Sequence, residues 1–423
     1  MSSLPTAAQA RQAAAFAATL YGQRGRQWYN GRVRGDGLAR TRLKEGRDDR
    51  YAVYEGIRAQ GPLTRTRAGY WVTTSHKLSN QVLRSRTFGV RDPERDIVQG
   101  GISREFDLSF LGLNAPDHTR LRRLATPAFS PKMMGTYDTM IEKTVHQLID
   151  QAERRGSFDL VTDLAAPLPI AVISEMLGVP NEHEEAFQRY GASLASALDG
   201  LNSLGHARDV LRAVHSLDRI FSSLFDLRER EPRDDLVSTL VAERGDRIRP
   251  EELTPMCQLL LVAGFETTVN LIGNAVIALT DHPDQWDLLV ADPQLAGPTV
   301  EETLRYLPPV QETGRVAFED TDLAGQTVRK HQWVVLLLAA AGRDPEVYAD
   351  PNRFDITRTP GVEHLAFSSG IHYCIGAPLA RLEATVALRV LAERMPGLRR
   401  AGDVTMRGST TIRGPLHLPV TTR

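Results

Sequence analysis

The chain of 423 residues carries 51 Lys and Arg against 52 Asp and Glu, a formal net charge of −1, and two cysteines, Cys257 and Cys374. That balance provides no field to gather nucleic acid or an acidic polymer, so neither is expected as a partner, and two cysteines point away from a disulfide framework and towards a cytoplasmic protein. The longest early apolar run, Ala13 to Tyr21, is far shorter than the roughly 20 residues a bilayer span needs, so no membrane span or signal peptide is expected.

Residues 1–50 are polar and rich in arginine (Arg24, Arg26, Arg32, Arg34, Arg40, Arg42, Arg47, Arg50) and read as an N-terminal arm, a solvated face or a loose segment, with a basic arm that touches a partner the less favoured alternative. Pro62 to Thr74 alternates and is rich in Thr, Tyr, Trp and Val, which predicts a strand pair; Leu78 to Leu83 predicts a short helix. From Arg91 to Leu113 the periodicity dissolves into a long connection. Its apolar residues, Ile97, Ile102, Phe106, Phe110 and Leu111, either line a pocket or anchor the loop. Asp117 to Phe129 predicts a helix capped by Asp117, with His118 and Arg122 on one face, able together to hold a pair of carboxylates. Residues 135–245 read as mostly helical, with breaks at Gly156 and at Gly178–Pro180. Between Glu182 and Arg228 small residues cluster (Gly191, Ala192, Ser193, Ala195 to Ala197, Gly200), from close helix packing or from a roomy entrance.

Pro250 to Asp281 predicts one long apolar helix centred on Ala263-Gly264-Phe265-Glu266-Thr267-Thr268. A carboxylate in such a run is costly unless it has a task or a partner. Gly264 destabilises a helix by roughly 1 kcal/mol relative to alanine, so it marks a close approach or a local opening. Taken alone, the string is better accounted for by a plain kink, with Thr267 bonding back one turn. Further on, Glu302 and Arg305 share a helix face. Leu307 to Ala317 holds Val310, Gln311, Glu312, Thr313 and Arg315. Trp333 to Ala340 reads as a buried strand, followed by a Gly342-Arg343-Asp344-Pro345 turn.

The most informative stretch is Phe367 to Glu383, FSSGIHYCIGAPLARLE, where Cys374 sits between Gly370 and Gly376 just before a predicted helix over Ala377 to Arg394. The helix end favours a thiolate, and a lone cysteine does not suit zinc. The run fits F-x-x-G-x-H-x-C-x-G-x-x-x-A at Phe367, Gly370, His372, Cys374, Gly376 and Ala380. That pattern resembles the haem-binding signature of the cytochrome P450 superfamily, whose thiolate-ligated haem is a known chemistry of O–O cleavage. Ala263 to Thr268 is similar to the family's A-G-x-[ED]-T-T string, and Glu302, Arg305 and Pro351-Asn352-Arg353-Phe354 fall where its structural network is found.

The resemblance, from about Pro62 to the C-terminus, implies a mainly α fold with a smaller β-rich region, with residues 51–423 as one catalytic domain. It implies haem b ligated by Cys374, with His118, Arg122, Arg315 and His372 on its propionates and Ala263, Gly264, Phe367, Gly370, Gly376 and Ala380 around it. Thr267 and Glu266 then serve the reacting oxygen and the proton supply, and Glu302, Arg305 and Arg353 form a buried ion network. Ile97, Phe106, Val310, Gln311, Thr313 and Thr411 are the pocket candidates. The implied reaction inserts one oxygen atom of O2 into a hydrophobic small molecule: a lipid, terpenoid, steroid or polyketide. Electrons then come from NAD(P)H through a separate ferredoxin and ferredoxin reductase, docking near Arg122, Arg123, Lys132 and Arg381. A haem-binding sensor or carrier and a peroxide-driven enzyme are the alternatives; Glu266-Thr267 favours the O2-dependent reaction.

Overall fold

A computed structural model describes residues 7–95, 97–98, 108–197, 201, 203–359 and 361–422. The helices, in chain order, are α1 (Ala7–Arg32), α2 (Gly37–Thr41), α3 (Lys44–Asp48), α4 (Arg50–Arg58), α5 (His76–Arg84), α6 (Asp117–Ala125), α7 (Pro131–Arg155) and α8 (Pro167–Leu177), then α9 (Glu184–Ser196), α10 (Leu204–Arg230), α11 (Leu236–Ala242), α12 (Pro250–Asp281), α13 (Pro283–Ala291), α14 (Ala296–Tyr306), α15 (Leu338–Ala341) and α16 (Ala377–Arg394). The expected mainly helical architecture is the one observed.

At the centre of the helical core lies α12, buried along nearly its whole length, which is why its sequence is apolar on every side. Among the described residues it is the one helix long and apolar enough to cross a bilayer, and it is enclosed by protein instead. Around it pack α8, α9, α14 and α16, and α7 packs in turn against α16 and α8. The buried faces of α7 (Tyr137, Ile141, Val145, Ile149, Ala152) follow the three- and four-residue spacing expected of an amphipathic helix.

The β-rich region is a sheet with strand order β1 (Thr64–Arg65), β2 (Trp71–Thr73), β10 (Trp333–Leu336), β7 (Thr313–Ala317), β3 (Phe88–Gly89). Here β10 runs parallel to β2 and antiparallel to β7, so Arg315 in β7 faces Val334 in register. Smaller ladders join β4 (Arg91–Asp92) to β5 (Ile97–Val98) and β8 (Thr321–Leu323) to β9 (Gln326–Val328). Near the C-terminus, β12 (Thr405–Met406) pairs with β13 (Pro415–His417), while β14 (Pro419–Thr421) lies between β6 (Ser157–Asp159) and β11 (Arg399–Arg400).

Three expectations are corrected. The Arg-rich arm is not loose in its second half: Asp36, Thr41 and Arg50 are buried, and α2 to α4 pack onto the body. Asp117 opens α6 but Pro116 holds the cap position, and the helix ends at Ala125, before a 3-10 turn over Thr126–Phe129. The strand predicted over Trp333 to Ala340 stops at Leu336, because Leu337 bends the chain into α15.

Candidate active site

The cysteine loop is set by its own backbone. The Cys374 amide donates to the Phe367 carbonyl at 2.9 Å, and Tyr373 closes a turn onto Gly370 at 3.1 Å. Gly370 takes a left-handed φ of 68°, and a Cβ there would lie 2.5 Å from the Leu83 carbonyl oxygen, so only glycine fits. The Cys374 side chain is accessible although protein atoms surround it closely. That crowding pushes its thiol up; the amides of Gly376 and Ala377 and the charges of Arg122 and Arg381 pull the other way without prevailing. Burial at the loop thus opposes the helix end, which by itself favours the thiolate.

Beside the loop, four nitrogen-bearing side chains converge. The rings of His118 and His372 lie 4.2 Å apart, and neither buried nitrogen of His118 has a hydrogen-bond partner. Burial first, then the Arg122 and Arg315 guanidinia, pull His118 down to about 4. Burial with Arg315, His118 and Arg122 pulls His372 down to about 3, and burial alone lowers Arg315 to about 10. Every charge acting on the two rings is basic. A cofactor with two carboxylates fits this donor set, and haem with its two propionates is such a group.

In the middle of buried α12, Ala263 is exposed and Gly264 and Thr267 are partly so, making one accessible stripe on a helix otherwise enclosed. Thr267 Oγ1 donates to the Ala263 carbonyl at 2.7 Å and Thr268 to Gly264 at 3.1 Å, so the back-bonds expected of a kinked helix are present. Glu266 is engaged separately. Its Oε1 lies 2.8 Å from Arg407 Nη1 and accepts from Asn270 Nδ2 at 3.4 Å, while Oε2 is buried with no partner. Burial raises the carboxyl above its usual range, against Arg407 and Asn270.

Arg305 forms a two-pronged pair with Glu302, both bonds 2.7 Å, and donates also to the carbonyls of Gly342, Pro351 and Arg353 at 2.8, 2.8 and 2.9 Å. All five guanidinium donors are thus used. The third charged partner is not Arg353, whose side chain is 65% exposed and lies nearest Asp355. It is Arg358, 3.4 Å from Glu302, while Arg353 contributes only its carbonyl. Gly342 has a spatial reason: a Cβ there would meet the Arg305 carbonyl oxygen at 2.2 Å.

The pocket candidates divide. Val310 bridges to Ile412, the Gln311 amide donates to the Thr411 carbonyl at 2.8 Å, and Val310, Thr313 and Thr411 are each partly accessible. Gln311 itself is fully buried and bonded to Tyr54 and the Pro308 carbonyl, so it does not serve the pocket. Phe106 lies outside the described residues, and of Ile97 only the backbone is described. Arg381, expected in a docking patch, is held by Glu301 at 2.6 Å and stacks on the Phe367 ring. Arg122 donates to the Tyr373 carbonyl at 2.6 Å, whereas Arg123 and Lys132 are exposed. A cleft of about 720 Å³ beside them is lined by Arg122, Arg123, Pro127, Phe129, Pro131 and Ile371.

Sequence reasoning missed Asn270, Arg407 and Arg358. Asn270 follows Glu266 by four residues, a spacing that could have shown it. Arg407 and Arg358 carry no local signal, since only the fold brings them to their carboxylates.

A family model described as Cytochrome P450 matches residues 294–394. The chain is 39% identical over 358 residues to the biotin biosynthesis cytochrome P450 of Bacillus subtilis, covering 83% of this chain and 90% of that one. It is similar to the crystal structure of P450BioI in complex with an acyl carrier protein ligated to hexadec-9Z-enoic acid, with a TM-score of 0.83, 38% identity, and 89% and 98% of the two chains covered. The structure of myxobacterial cytochrome P450 CYP267B1 in complex with myristic acid matches with a TM-score of 0.82, 35% identity, and 90% and 98% covered.

Proposed function

The chain belongs to the cytochrome P450 family of haem-thiolate monooxygenases, and from that premise we propose that it oxygenates a lipid-like acyl chain, free or carried on a protein. The enzyme is an oxidoreductase using haem b and O2. Haem, when bound, activates O2 so that one oxygen atom enters the substrate and the other leaves as water. The observation that carries the site assignment is the cluster of His118, Arg122, Arg315 and His372, a dicarboxylate receptor beside Cys374. In this reading the Cys374 sulfur ligates the iron and the four basic groups orient the macrocycle. Thr267 Oγ1 holds a proton on the accessible stripe of α12, and Glu266 resupplies it through Oε2, its unpartnered oxygen. Glu302, Arg305 and Arg358 keep the support under the cysteine loop rigid. Residues 51–423 work as one catalytic domain.

The acyl-chain assignment is supported by the two related structures described with fatty acyl ligands. A ferredoxin, fed by its reductase, is the proposed electron donor. Arg123, which lines the cleft, and Lys132, exposed next to its Pro131, suit an acidic partner. Neutralising both should slow reduction and flatten its salt dependence; an unchanged dependence removes the docking assignment.

The test of substrate class is an absorbance titration of the ferric holoenzyme with free fatty acids, carrier-protein-bound acyl chains, terpenoids, steroids and polyketides. The expected result is a Soret blue shift with acyl chains, as the ligand displaces the iron's water. A shift with another class alone overturns the assignment. Thiolate ligation is tested apart from turnover, by the carbon monoxide difference spectrum, which Cys374→Ser should lose.

A further inference from the structure

The Arg-rich segment expected to be a loose arm is instead tied to two stretches that neighbour each other in space, one just before β7 and one between β12 and β13. Arg42 spans them: one nitrogen pairs with the Glu312 carboxylate, and another donates to Thr410 Oγ1 at 2.7 Å. Arg50, 2% exposed, donates to the Thr410 and Ser409 carbonyls at 2.7 and 3.1 Å. Arg413 returns the contact, donating to the Arg47 carbonyl at 2.7 Å, and Arg47 donates to the Arg42 carbonyl at 2.7 Å. Tyr51 and Tyr54 on α4 add bonds to the Tyr306 carbonyl at 2.7 Å and to Gln311 at 3.4 Å.

The residues so gripped are Gln311, Glu312, Ser409 and Thr410. They are the chain neighbours of Val310, Thr313 and Thr411, the partly accessible pocket candidates, and the two stretches meet through the Val310–Ile412 bridge and the Gln311-to-Thr411 bond. The two stretches are distant in the sequence, and Arg42 comes from neither. Glu312 is only 5% exposed, so losing Arg42 strands a buried charge and moves the wall that carries it.

We propose that the Arg-rich segment is a clamp on the substrate pocket, with Arg42 a specificity-determining positioning residue that fixes the spacing of the Val310–Thr313 and Thr411 walls through Glu312 and Thr410. This rests on the assignment of those walls to the pocket. Arg50 holds the Thr410 side of the clamp through the backbone, and so sets the height of Thr411 without touching a ligand.

The experiment titrates the ferric holoenzyme by absorbance with saturated fatty acids of graded length, alongside thermal melting. Arg42→Met should weaken binding of the preferred acid about tenfold and change the order of preference across the series, whereas Arg42→Lys should keep the order. Glu312→Gln removes the charge from the other end and must give the same change of order, which keeps the test decisive if Arg42→Met does not fold. Val310→Ala and Thr411→Ala report on the pocket itself. If those two alter binding while Arg42→Met and Glu312→Gln lower only the melting temperature, the clamp is overturned and the pocket stands. If all four leave binding unchanged, the pocket assignment falls and the clamp falls with it.

Discussion

Arg407 Nη1 lies 2.8 Å from Glu266 Oε1, so the carboxylate of the central helix is tied to a residue 141 positions further along the chain. Asn270 completes the arrangement, donating to the Glu266 carbonyl at 2.8 Å and accepting from Arg407 Nε at 3.2 Å. Arg407 is partly exposed while Glu266 is buried, so the pair forms a line from solvent towards the helix interior.

Removing Arg407 removes the charge that opposes the burial-raised affinity of Glu266 for its proton. In Arg407→Met the carboxyl stays protonated to higher pH, and coupling of NAD(P)H to product should fall on the order of tenfold, below the 10²–10⁴ of a whole acid–base group. Hydrogen peroxide release and the solvent isotope effect should both rise, and Arg407→Lys should restore coupling. Unaltered coupling with a lower melting temperature would assign Arg407 to structure alone.

The network of Glu302, Arg305 and Arg358 yields a direct comparison. Arg305→Ala leaves Glu302 buried without its main partner and should cost about 3–5 kcal/mol, or abolish folding. Arg353→Ala removes an exposed side chain and should stay within about 0.5 kcal/mol. Arg358→Ala, which faces Glu302 at 3.4 Å, should fall between them. Denaturant melts of the three variants order the partners; Arg353→Ala as damaging as Arg305→Ala would reverse the assignment made here.

Glu301 supplies a pH test. Burial works against its ionisation, but bonds from His364 and Arg381 override it and hold the carboxyl at about 2. A folded-state value below the ordinary 4.5 adds stability that is fully present above that pH and fades as pH falls towards about 2. With its side chain 45% exposed, solvent screens much of the effect. The melting temperatures of wild type and Glu301→Gln should therefore differ modestly at pH 7, draw together below about pH 4.5 and converge only as pH nears about 2; a constant gap would mean that charge is not its source.

Gly342→Ala tests the close approach to Arg305. The added methyl meets a backbone oxygen, not a movable side chain, so the turn must shift at a cost of about 1–3 kcal/mol. Because Arg305 also bonds the Gly342 carbonyl, the shift should loosen haem retention along with stability, measurable as faster haem transfer to an apo-acceptor.

Local chemistry made much of this protein legible from its residues alone. Pro250 and the predominantly apolar run to Asp281 define the central helix, because burial on nearly every side leaves no continuous polar face to read. The spacing from Phe367 to Ala380 identifies the cysteine loop because glycine at 370 is fixed by backbone geometry and Cys374 by its own chemistry. Glu302 and Arg305 found each other because a helix turn brings third neighbours together. What the chain did not reveal depends on contacts between distant segments. Arg358 in place of Arg353, Arg407 on Glu266, and Arg42 across Glu312 and Thr410 are long-reach guanidinium contacts. An arginine in a polar run looks the same whether it ends in water or on a buried carboxylate, and only the packing of distant strands decides which.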